Sequence, residues 1–304
     1  QSGTVLISGG DSDGAAGGLI LTGGKGGVAG GDVTIVTGAS AGTGGAGQLS
    51  IGIGDAETGK GGDFSVKAGK SIGGAGGAID IKSGSGGTDS GAVSIRSENS
   101  GGTGMSGQVL LASGSASNAG SGSIMIKTGN SKTDTAGGIT LNTGTSSMGD
   151  GALLFLRSGD TSSAASQGGN VIVRAGDGTS DDAAVGGRGG DVMFQAGSAY
   201  GLGSGDYGGA INFVSGDAVV GNGGDVSVLS GMSLQSSSGN VNMRTRDSGA
   251  SGVSGNVDII TGTSSGGTTG SISLSTGQGQ EGAAGSINLI VGTGDEYDGG
   301  DINL

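Results

Sequence analysis

Apolar residues alternate with other residues in short bursts along this chain, and the bursts recur. Gly31-Asp32-Val33-Thr34-Ile35-Val36-Thr37-Gly38 aligns with Gly122-Ser123-Ile124-Met125-Ile126-Lys127-Thr128-Gly129 and with Gly270-Ser271-Ile272-Ser273-Leu274-Ser275-Thr276-Gly277. The shared template is G-x-Φ-x-Φ-x-[STA]-G, with Φ apolar. Its period of two is the signature of an extended strand with one apolar face. We call its first residue the opening glycine and its last the closing glycine.

Twenty copies fit the template, with their first Φ running from Val5 to Ile302. The modal spacing is 15 residues. Spacings of 18, 21 and 19 cluster between Leu153 and Ile211. An opening glycine precedes the first Φ by two residues in every copy, among them Gly31, Gly47, Gly62, Gly77, Gly122, Gly190, Gly224 and Gly270. A position restricted to glycine needs either a positive φ or space that a Cβ would fill. The closing glycine is less strict: Glu98 and Arg246 replace it, and in one copy it slips by a residue, from Ser158 to Gly159. The 7 to 10 residues between most strands are Gly, Ser, Thr, Ala and Asp, a turn composition.

One strand of this length cannot bury its own apolar face, whereas stacked copies can. The pattern therefore predicts an all-β fold, a β-solenoid of about twenty short strands, as one continuous array over residues 1–304 with longer loops within 153–211. Val33, Ile35, Ile124, Ile126, Ile272 and Leu274 would lie in its inward columns. Two strands per coil of about 30 residues would set Val and Ile against Val and Ile. One strand per 15-residue coil is the alternative. Intervals of 16, 15, 15 and 14 repeat from Val33 onward, a 60-residue super-repeat that suits an even number of strands per coil.

Composition changes this picture little. Glycine supplies 80 of 304 residues, and Pro, Cys, His and Trp are absent. A collagen period is missing, and the regular apolar spacing argues against a flexible Gly/Ser coil. The net charge of −13 opposes binding to nucleic acid or to an anionic membrane surface. No window supplies the roughly 20 apolar residues of a membrane helix. The first copy begins at once, without a visible leader. The last stops within a strand at Leu304, which predicts an array that continues or stacks end to end.

With no histidine or cysteine, the chain offers no ordinary acid–base or thiol chemistry, and it reads as a non-enzyme. Asp11 and Asp13, and the group Asp295, Glu296 and Asp298, are candidate hard-oxygen ligands for Ca2+. They do not follow the nine-residue calcium β-roll repeat, so the expectation is no cofactor, with a calcium-dependent adhesin-like module as the alternative function. Ice binding is a second alternative, opposed by Lys67, Lys82 and Arg96 on the outward face. No N-x-[ST] sequon occurs, and the many Ser and Thr leave O-linked glycans open.

The run Gly255-Asn256-Val257-Asp258-Ile259-Ile260-Thr261-Gly262-Thr263-Ser264-Ser265-Gly266-Gly267 resembles the Gly/Ser/Thr tandem repeats of predicted cell-surface and extracellular-matrix proteins of diatoms and related stramenopile algae. The resemblance extends over the whole array. It implies an extracellular or cell-surface location and carries over no catalytic residue. Together with the repeats it predicts a structural protein: a rod-like segment of an extracellular fibre or appendage that self-associates end to end or laterally.

Overall fold

The structure is a computed structural model and describes residues 3–182, 184–295 and 299–303. Two units divide the chain, Gln1–Leu141 and Asn142–Leu304. The same local design is found in both.

Among the described residues there is no helix and no β-strand, which corrects the expected all-β solenoid. The backbone gives a geometric reason. In ten of the nineteen connections, the opening glycine donates its N–H to the carbonyl of the preceding closing glycine. Gly47 bonds Gly38 at 2.9 Å, Gly91 bonds Gly84 at 2.9 Å, and Gly224 bonds Gly216 at 2.9 Å. Each of these ten connections is thus a closed loop with a neck, and the copy after it begins beside the end of the one before.

A solenoid requires something else. With one copy per coil, each copy must start above the start of its predecessor. That start lies about 23 Å from the far end of a seven-residue rise in extended chain. With two copies per coil, the end of one copy and the start of the next are held apart by about 10 Å, the separation of facing sheets. A direct amide bond at the neck satisfies neither geometry.

In most copies exposure alternates at period two, as in an extended chain. The small residues are the most sheltered, Ala68, Ser97, Ala175, Ala196, Ser215 and Thr261 among them, and most first Φ residues come next, for example Ile124 at 49% and Val192 at 48%. The apolar residues between the two Φ positions are far more open, for example Ile172 at 81%. No described residue is buried. The predicted columns of Val33, Ile35, Ile124, Ile126, Ile272 and Leu274 therefore do not close into a core, although these residues do share the sheltered face. The accessible surface of 29942 Å² compares with about 11,000 Å² for a compact chain of this mass and about 41,000 Å² for an unfolded one.

Side chains organise the loops. A serine two residues after the closing glycine accepts an amide three residues further on. Ser71 accepts from Gly74, Ser131 from Asp134, Ser146 from Gly149, Ser233 from Ser236 and Ser264 from Gly267. These are Ser/Thr turns, in which a hydroxyl replaces a missing backbone partner.

Candidate functional site

The neck recurs in ten connections, in both units, and brings two positions of the template together. A Cβ added to Gly47 would sit 3.2 Å from Thr37 Cβ. One on Gly77 would sit 3.5 Å from Ala68 Cβ, one on Gly209 3.4 Å from Ala196 Cβ, and one on Gly255 3.4 Å from Thr245 Cγ2. The opening glycine thus faces the small residue that precedes the closing glycine; the fit is tight at Gly47 and an ordinary van der Waals contact at Gly77, Gly209 and Gly255. A larger residue on one side tightens the fit. At Gly62 the neighbour is Ile53, whose Cγ2 would lie 2.5 Å from an added Cβ.

The closing glycines behave differently. Around Gly38, Gly69, Gly84, Gly129 and Gly262 an added Cβ would meet nothing within 4 Å. That is why Glu98 and Arg246 are accepted at this position. None of these opening or closing glycines has a positive φ; among the described glycines only Gly186 does. Lack of room operates at Gly17, Gly31, Gly47, Gly62 and Gly169, where an added Cβ would lie 3.2 Å or less from a neighbouring atom; at most other opening glycines it would make only ordinary contact.

One copy departs from the template in a way the sequence alignment hides. Leu153 is 81% exposed and Leu154 only 53%, so the sheltered first Φ is Leu154, one residue later than the template places it. The slip already seen at Gly159 therefore starts at the entrance, and Ala152 takes the place of the opening glycine. Its carbonyl accepts from the Thr143 hydroxyl at 3.3 Å. Nothing lies within 4 Å of a Cβ on Gly151, which confirms that this glycine no longer stands at a neck.

The face formed by the opening glycine, both Φ residues and the small residue carries no Asp, Glu, Lys or Arg in any copy. Across the neck at Gly197 and Gly209, second-Φ residues of successive copies meet. The Phe194 and Phe213 rings pack edge to face with centroids 6.3 Å apart, a favoured aromatic geometry.

Charged side chains lie elsewhere. Asp80 pairs with Lys82 at 2.7 Å, Lys60 with Asp63 at 2.8 Å, Arg96 with Glu98 at 3.6 Å, and Arg157 with Asp160. All of these are solvent-exposed and contribute little stability. Asp182 is the one described group whose ionisation is shifted. The backbone amides of Val185 and Ala184 donate to its carboxylate and hold its pKa below the ordinary value.

The described candidate calcium ligands lie in two separate loops. Asp11 and Asp13 lie in the 10–17 loop, and Asp295 lies in the loop after Gly292. Glu296 and Asp298 fall outside the described residues. Among the described residues, no three acidic groups converge as metal ligands would. An open hollow is lined by Arg244, Thr245, Arg246 and Asp247. No described helix is long and apolar enough to cross a membrane.

Compared with models of protein families, with curated proteins and with solved structures, the chain matches none of them.

Proposed function

We propose that this chain is a structural, self-associating protein of the extracellular space or cell surface, built to present one apolar face many times over. The observation that carries this reading is the charge-free face repeated in twenty copies and left about half exposed. A chain with no buried residue among those described has not offset the conformational entropy of ordering its backbone. Contact with further chains supplies the missing burial. A standard stable interface removes about 1,600 Å² from water, and the exposed Φ pairs hold more apolar surface than that.

The extracellular setting rests on the Gly/Ser/Thr repeat resemblance, and the acidity keeps single chains soluble until they meet. Sedimentation velocity over a hundredfold range of concentration, with electron microscopy of the same samples, tests the proposal. Concentration-dependent growth into filaments or sheets is expected. A chain that remains monomeric at every concentration contradicts it.

A further inference from the structure

The outward positions of the twenty copies hide a polarity. Between the opening glycine and the small residue, three positions point away from the apolar face. Every acidic residue among them sits at the first or the second. Asp32, Asp63, Asp191, Asp225 and Asp301 follow an opening glycine directly, and Asp80 and Asp258 lie between the two Φ residues. Every basic residue sits at the third, next to the small residue. These are Lys67, Lys82, Arg96 and Lys127 within residues 1–141, then Arg157, Arg174 and Arg244. No acid occupies the third position, and no base the first two.

Each charged stretch is therefore acidic in its first two outward positions, basic at its third, or both. Two stretches paired in parallel and in register would place acid beside acid and base beside base. Paired antiparallel, the first outward position of one lies opposite the third of the other. Side chains there are about 5 Å apart, and opposite charges attract.

The charges are also divided along the chain. Residues 1–141 hold eight Lys and Arg against ten Asp and Glu, a net of −2. Residues 142–304 hold five against sixteen, a net of −11. Four of the seven base-ended stretches lie in the first unit, and three of the five stretches that open with Asp lie in the second. Lys67, Lys127, Asp191 and Asp225 take part in no ion pair among the described residues. The ion pairs of Lys82 and Arg96 are exposed neighbours, weak enough to exchange.

We propose that the partner is a second copy of this chain: base-ended stretches within residues 62–129 of one copy pair edge to edge and antiparallel with the acid-opened stretches 190–197 and 224–231 of another. This rests on the self-association proposed above and adds its orientation and register. The extended stretches have free backbone edges, since their long-range backbone bonds among the described residues are confined to the necks. Such edges accept another chain readily. The two surfaces differ, so a contact that uses one of each leaves one of each kind free, and growth continues wherever the pairing is not reciprocal and the rotation does not close.

The test uses the 304-residue chain and two variants. One carries D191K, D225K and D301K, and the other K67E, K82E, R96E and K127E. Each variant alone is expected to need at least about tenfold more protein to assemble, because several cross-strand pairs become repulsive. An equimolar mixture of the two is expected to assemble close to the wild-type threshold. Carbodiimide coupling of mixed nitrogen-15-labelled and unlabelled wild-type chains should join Asp191 or Asp225 of one copy to Lys67, Lys82 or Lys127 of another. If the variants assemble alone as readily as wild type, or the coupled residues are not these, the orientation is overturned and self-association stands. If no chain assembles, both fall.

Discussion

The loops of the first unit and the three long loops of the second differ in length yet close in the same way. Loops 10–17, 24–31 and 38–47 are short and uniform. Loops 159–169, 176–190 and 197–209 carry the inserted residues, and 197–209 adds a turn in which the Asp206 carboxylate accepts the Gly203 amide at 2.8 Å. The neck bond is 2.9 Å at Gly17 and Gly47, and 2.9 Å again at Gly169, Gly190 and Gly209. Extra chain is therefore absorbed beyond the neck, and the neck is the conserved unit of the architecture. Loop closure cost explains the tolerance, since doubling a flexible loop costs only about 0.6 kcal/mol.

The largest expected effect follows from the contrast between the two glycines of a neck. Gly47→Val should break its neck, because the new side chain enters the space of Thr37. Gly38→Val should leave that neck closed, because its Cβ position is open. Hydrogen exchange at the amide of residue 47 checks this. The opening substitution should speed exchange by up to about tenfold, consistent with a hydrogen bond of about 0.5–1.5 kcal/mol. The closing one should change it little. Equal effects from both would mean that crowding at the neck is not what selects glycine.

A smaller effect is expected from loop length. Removing four residues from 199–205 should leave the Gly209 amide bonded to Gly197, with neck stability altered by less than about 0.5 kcal/mol. Loss of that protection would make the long loops part of the neck rather than additions to it.

The smallest effect concerns Asp182, in the longest loop. Its pKa is lowered when its carboxylate accepts the Val185 and Ala184 amides. Loop order that depends on this charge is complete above the ordinary carboxylate pKa and is lost as pH falls through the lowered one. Exchange at the Ala184 and Val185 amides should rise on acidification within that range, and Asp182→Asn should weaken the dependence. The neck amide of Gly190 should not respond.

Much of the local design was legible in the sequence. The twenty copies, the apolar face and the tolerant closing glycine can all be read from the alternation and from Glu98 and Arg246. How the copies relate in space was not. The same alternation suits a stacked coil and a necked chain. What separates them is whether the end of a copy lies beside the next opening glycine, and no single residue announces that. The pairing of opening glycine with the small residue was a usable signal, since Thr37, Ala68 and Ala196 recur at that position. The slip at Ala152 and Leu154 was masked because Gly151, Leu153 and Phe155 satisfy the template by coincidence. The serine turns escaped notice because serine is common throughout the loops, and only its offset from the closing glycine distinguishes Ser71 or Ser264.

Among the described residues a single chain holds its necks but no ladder between its extended stretches, and we propose that its apolar stretches find partners in other chains. Hydrogen exchange followed from dilute to concentrated protein tests this most directly. In dilute solution the opening-glycine amides, such as Gly47, Gly91 and Gly224, should be slow, and the amides of Val33, Ile124 and Ile272 fast. Raising the concentration should slow the second group. Strong protection of Val33, Ile124 and Ile272 in the most dilute monomer would contradict the account.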